Sequence, residues 1–169
     1  MESLDADTRV DCVAGLKLDG GKLAWEPIAL REPRRKSHQI AAFLNEEPRP
    51  WQSAHVAESD GVVLGFAAVG LQPWNGRLVL WHMYVDETAR RRGVAKSLLD
   101  AVLDSDLAVG ARQLWLETQD DNVLAIRAYE RLGFEMVGFD RSYYANPPDA
   151  DTAIFMSRAL PLGRERRGQ

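Results

Sequence analysis

The sequence has 169 residues, 46% of them hydrophobic and 27% charged, the size and balance of one globular domain, so a single domain over residues 1–169 is expected. A net charge of −4 argues against a chain-wide nucleic-acid footprint. The longest nearly unbroken apolar stretch, Val62 to Leu71, is far below the roughly 18 residues that cross a bilayer, so neither nucleic acid nor membrane is an expected partner.

Residues 1–20 show no sustained period and are expected to be poorly defined. Gly20-Gly21 marks a break before a short strand around Leu23 to Leu30. The basic runs Arg31 to Lys36 and Arg164 to Arg167, the second inside a basic tail over 160–169, read as solvated faces. Ile40, Phe43 and Leu44 stand at helical spacing, which predicts a helix over Lys36 to Asn45 that Pro48 and Pro50 end.

His55 to Glu58 and Val62 to Leu71 are predicted as a hairpin turning at Ser59-Asp60-Gly61, and Asn75-Gly76 precedes a third strand, Leu78 to Val85. Val94, Leu98, Val102 and Leu99, Leu103 recur every four residues, which predicts a helix from Val94 to about Val109. Gln113 to Thr118 is a short apolar strand. Asp120-Asp121-Asn122 then caps a helix through Leu132, with Gly133 fitting the left-handed position after it and Phe134 the apolar residue beyond. Strands near Phe134 to Phe139 and Thr152 to Arg158 flank the turn Asn146-Pro147-Pro148-Asp149. Strands, helix, strand, helix, strands imply an α+β arrangement, a mixed sheet flanked by helices.

Arg90-x-x-Gly93-x-Ala95 stands where a strand runs into a helix amino terminus. Such a junction offers unpaired backbone N–H groups and a positive dipole to a pyrophosphate. Arg90, Arg91 and Arg92 add charge, Gly93 admits a close approach, and Val94, Ala95 and Lys96 form the first turn. Alone this spacing is weak; an exposed basic turn capping a helix has the same pattern. A second element follows it, Leu114-Trp115-Leu116-Glu117-Thr118, then Asn122, Ala125, Ala128, Tyr129, Leu132, Gly133 and Phe134.

Together the two elements resemble the GCN5-related N-acetyltransferase superfamily. Its acetyl-CoA loop reads Arg/Gln-x-x-Gly-x-Gly/Ala, and its next helix carries an Asn and a Tyr before Gly-Phe. Trp74-Asn75, Leu116 to Asp120, Asn122, Tyr129, Gly133-Phe134 and Tyr144-Ala145-Asn146 look like the streptothricin acetyltransferase branch, over about residues 62 to 158. The chain departs from that branch at Trp81-His82, where consecutive acids are usual. The resemblance implies the superfamily fold, a mixed, mostly antiparallel sheet splayed between strands 78–85 and 113–118 to admit acetyl-CoA as cosubstrate. It also implies an oxyanion site at a backbone N–H near Met83, Tyr84 or Val85.

An alkylamine with a pKa of about 10.4 must lose a proton before it attacks a thioester. His82 is the first candidate for that base, against a structural role within the strand, and Glu117 the second. Tyr129 matches the family position of the phenol that protonates the departing thiolate, against a role as one more buried aromatic. Asn122 either bonds the pantetheine arm or caps the helix, and the two are compatible. Cys12, the only cysteine, lies in an unpatterned segment without a nearby base, which favours direct transfer over a covalent acetyl-cysteine.

The expected partner is a small-molecule amine, of the streptothricin kind. A protein acetyltransferase acting on an amino terminus or lysine stays open, as does a non-catalytic acetyl-CoA sensor module. No disulfide or metal site is expected, since one cysteine stands alone and His38, His55 and His82 lack ligand spacing. An acidic start without a basic, apolar leader makes a cytoplasmic location the default. The carboxyl-terminal strand leaves a homodimer open beside a monomer.

Overall fold

The structure is a computed structural model that describes residues 4, 6–38, 40, 45, 47–144 and 151–161. In chain order its elements are β1 (Thr8–Asp19), β2 (Lys22–Lys36), β3 (Ser53–Ser59), β4 (Val62–Gln72), β5 (Arg77–Val85), α1 (Val94–Leu103), β6 (Gln113–Gln119), α2 (Val123–Arg131), β7 (Glu135–Asp140) and β8 (Ala153–Ala159). They group into two units, one of residues 1–7, 37–114 and 159–169, the other of residues 8–36 and 115–158. Half of the helix expected over Lys36 to Asn45, the turn at 146–149 and most of the tail lie outside the described residues, and Lys36 itself ends β2.

In the first unit β3, β4 and β5 are sequential antiparallel neighbours. The tight turn at Asp60-Gly61 has both residues at positive φ, 53° and 76°, the geometry that matches strand twist. β4 is buried from Gly65 through Gly70, and Leu78, Val79 and Leu80 are buried on β5. A Cβ on Gly65 would stand 2.5 Å from the Tyr84 carbonyl oxygen and 3.4 Å from Leu98, so glycine is what lets β4 lie this close to its neighbours. Side chains alternate along a strand, so Phe66 projects to the opposite face, where it joins Leu4, Ala6, Ile40 and Tyr84. β5 carries one extra residue: Ala68 faces His82 while Val69 faces Leu80, leaving Trp81 in a bulge.

α1 buries Leu98, Leu99, Val102 and Leu103, the four-residue recurrence read from the sequence. It stops at Leu103, six residues before the expected end. Ser105 is extended (φ −75°, ψ 157°) and its hydroxyl donates to the Val102 carbonyl at 2.6 Å, closing the helix before a short 3-10 turn at Asp106–Ala108.

The second unit corrects the reading of the amino-terminal segment. Residues 8–36 form a long hairpin, β1 against β2, and Gly20-Gly21 is its two-residue turn, with φ of 54° and 81°. Both angles are costly for any residue with a Cβ, so the glycine pair creates the hairpin. The ladder is interrupted where Val10 pairs with Arg34 but Cys12 with Ala29, and Pro33, which has no N–H to give, falls in the looped-out stretch. Trp25 anchors the hairpin on α2: its indole N–H donates to Glu130 at 2.7 Å and the Arg127 guanidinium lies 5.5 Å from its ring centre.

β6 forms where the apolar strand is expected and alternates, burying Leu114, Leu116 and Thr118, and within this unit the strand order is β6-β8-β7, with β7 antiparallel to β8. Asn122 caps α2 by accepting from the Ala125 amide at 3.3 Å. Gly133 (φ 86°) ends it, with the Gly133 amide on the Glu130 carbonyl and the Phe134 amide on the Tyr129 carbonyl, both at 3.0 Å.

Candidate active site

In the first unit β5 delivers His82, Met83, Tyr84 and Val85 to the loop that opens α1. Tyr84 sits among His38 (ring centres 5.4 Å apart), Phe66 (5.5 Å) and His82 (6.3 Å, nearly parallel). After Val85, Asp86 accepts from the Thr88 amide and hydroxyl, and a short 3-10 turn leads to Arg90. Arg90 turns back into the fold: Nε donates to the Val85 carbonyl at 3.3 Å and Nη2 to the Asp7 carbonyl at 3.0 Å. Its charge braces the loop, whereas Arg91 and Arg92 are exposed.

Arg91 (φ 62°) and Gly93 (φ 85°) are both left-handed, and Gly93 is the N-cap of α1 with no side chain satisfying the first turn. The amides of the first helical residues have no intrahelical acceptor by construction, so Val94, Ala95 and Lys96 present N–H groups at the positive end of the helix dipole. Alternating left-handed residues make a concave set of such donors, suited to phosphate oxygens. A non-glycine left-handed residue is uncommon, and Arg91 holds one in this loop.

In the second unit β6 carries Glu117, and α2 carries Asn122 and Tyr129. The Tyr144 phenol donates to Glu117 Oε1. Burial pushes the Glu117 carboxyl above the usual carboxylate range, while the Tyr144 hydrogen bond and the Lys36 charge pull it back down. Burial and the Glu117 carboxylate push the Tyr144 phenol well above its ordinary value, so it stays protonated and donates. Tyr129 is buried and meets Phe134 edge to face, ring centres 5.5 Å apart.

The basic run 31–36 is not simply a solvated face. Lys36 Nζ bonds Asp121 and Asp151, and Arg34 Nη2 bonds the same two carboxylates at 2.8 and 3.0 Å, with Asp121 buried. Sequence reasoning missed Arg34, Lys36, Asp121 and Asp151 as a group. Their partners lie more than 80 positions apart, and no local pattern announces them. Among the described residues no cluster of His, Cys, Asp or Glu could hold a metal ion, and no helix is long and apolar enough to cross a membrane.

The family model described as "Acetyltransferase (GNAT) family" matches residues 22–134. The chain belongs to the GNAT acetyltransferase family. The GNAT fold, a mixed α+β sheet with helices, agrees with the elements above. Streptothricin acetyltransferase of Streptomyces lavendulae is 36% identical over 104 residues, 61% of this chain and 55% of that one. The [ribosomal protein bS18]-alanine N-acetyltransferase of Escherichia coli K12 is 36% identical over 83 residues, 49% of this chain and 55% of that one. The GNAT chain thus spans about half the length of these curated relatives. Among solved structures, a nourseothricin acetyltransferase has a TM-score of 0.77 at 28% identity, covering 94% of this chain and 90% of its own. A Bacillus anthracis str. Ames structure in complex with acetyl coenzyme A shares the fold, with a TM-score of 0.81 at 23% identity and coverage of 94% and 91%.

Proposed function

We propose that the chain is an acetyl-CoA-dependent N-acetyltransferase that passes the acetyl group directly to a primary amine of a small, streptothricin-like molecule. The observation that carries this is the opening of α1, where left-handed Arg91 and Gly93 leave a set of N–H groups without a side-chain cap. In this reading the amides from Arg91 to Lys96 bind the pyrophosphate, the Arg91 and Arg92 guanidinium groups add charge, and the Asn122 side chain meets the pantetheine arm while keeping its cap. The whole chain acts as one catalytic domain, and a backbone N–H near Met83, Tyr84 or Val85 stabilises the oxyanion.

Glu117 takes a proton from the acceptor ammonium. The neutral nitrogen attacks the acetyl carbon, the new C–N bond giving the tetrahedral oxyanion; its collapse breaks the C–S bond, and the sulfur takes the Tyr129 proton with the departing electron pair. The second nitrogen proton returns to the Tyr129 oxygen by way of solvent. Glu117 is favoured over His82 as the base because burial moves its carboxyl toward neutrality, which brings a carboxylate nearer the strength the step needs.

Acetyl-CoA-dependent thiol release is the test, run against streptothricin, aminoglycosides, polyamines and amino-terminal peptides with products read by mass spectrometry. Saturable acetylation of streptothricin supports the reading. The ribosomal-protein relative favours a second one, a protein amino terminus as acceptor, which acetylation of the peptides alone would establish. Tight acetyl-CoA binding with no acceptor in the whole panel would make the chain a sensor instead.

A further inference from the structure

We propose that Tyr144 is a positioning residue for acyl transfer, its phenol holding the Glu117 carboxylate in the orientation from which it takes the proton of the incoming amine. The proposal rests on the acyl-transfer reading above and adds a residue to it. Tyr144 stands at the start of the Tyr144-Ala145-Asn146 stretch of the sequence, after the loop and helix elements and 27 positions beyond its carboxylate partner.

The phenol is held from behind. Tyr143 packs edge to face on Tyr144 (ring centres 5.2 Å apart) and on Phe155 of β8 (5.5 Å), and Phe155 stacks on Trp115 at 5.3 Å. Trp115 and Glu117 are two residues apart on β6 and share one face of that strand. The aromatic series therefore begins and ends on the strand that carries the carboxylate, and it fixes the distance between donor and acceptor by ring packing. A tyrosine that only filled space would need its ring there and not its hydroxyl.

Three groups interact electrostatically with this carboxylate. The Tyr144 phenol and the Lys36 ammonium at the end of β2 both favour its ionised form. The Tyr143 phenol is itself pushed up, first by burial and then by the Glu117 charge. Lys36 is shared with Asp121 and Asp151, so part of its charge is already neutralised. That leaves the phenol as the donor aimed at Oε1, with Oε2 taking the substrate proton.

The test is Tyr144→Phe, which keeps the ring and removes the donor. Two readouts are followed, the 13C carboxyl titration of Glu117 by NMR and the acid limb of kcat/KM. Loss of a hydrogen bond to the ionised form raises the pKa, so both are expected to move up by about one unit, with activity recovering at higher pH. A Glu117 midpoint that stays put while acyl transfer continues overturns the role of Tyr144. A midpoint that moves in a protein that acetylates no amine overturns the acyl-transfer reading instead, so the two failures are told apart. Near-ultraviolet circular dichroism matching the parent protein shows that the aromatic packing is intact.

Discussion

Tyr129 and Phe134 are tied twice: their rings meet edge to face at 5.5 Å, and the Phe134 amide donates to the Tyr129 carbonyl at 3.0 Å. The left-handed Gly133 between them makes this possible, so the ending of α2 also fixes where its tyrosine stands.

Tyr129→Phe keeps both the ring contact and the backbone bond, neither of which involves the phenol oxygen. Turnover is expected to fall about 100-fold, the scale of a lost general acid, while acetyl-CoA affinity stays within about twofold. Steady-state kinetics beside calorimetric titration measures both; an unchanged turnover number removes Tyr129 from the chemistry.

Gly93 has open space around the position a Cβ would take, so crowding is not what requires glycine. Its φ of 85° is. Gly93→Val should strain the loop by about 1–2 kcal/mol and reorient the amides of the first turn, reducing acetyl-CoA affinity at least tenfold. Gly93→Asn, which tolerates the left-handed region, should keep most of the binding. Equal affinity in glycine and valine proteins counts against a phosphate site here.

The acid limb of kcat/KM separates the two candidate bases. Burial raises Glu117, so the limb should lie above the ordinary glutamate value of about 4.3, with activity lost as pH falls through it. Glu117→Gln should remove that limb and at least 100-fold of the rate, whereas His82→Gln should leave the limb in place. The reverse pattern would reinstate His82 as the base.

Asp121 has a side chain only 1% exposed and accepts from both Lys36 and Arg34. Asp121→Asn should cost about 2 kcal/mol in denaturant unfolding, less than the 3–5 kcal/mol typical of breaking a buried pair, because Asp151 still neutralises both cations. A loss below about 0.5 kcal/mol would mean that the network contributes little to holding the hairpin.

Much of this was legible in the sequence where the signal is local. The apolar strand Gln113 to Thr118 and the Asn122 cap with its Gly133 ending depend on near neighbours and reappear within a residue or two, whereas the helix expected from Val94 to about Val109 keeps its four-residue period only as far as Leu103. The hairpin over residues 8–36 was not read, although β1 places Val10, Cys12, Ala14, Leu16 and Leu18 at alternate positions; β2 is mostly exposed and offers no matching alternation. Gly20-Gly21, which joins them, looks the same in a turn as in a break. The Glu117–Tyr144 bond and the Lys36–Asp121 pair join residues far apart in the chain, and only the folded chain reveals such pairings.

The single extra residue at Trp81 lies outside the alternation of β5. Val69 pairs with Leu80 and Ala68 with His82, partners that already stand on alternate faces of the ladder, so both halves of the strand would keep their faces without it. The residue at the bulge is therefore free to vary without moving the side chains that β5 delivers on either side of it.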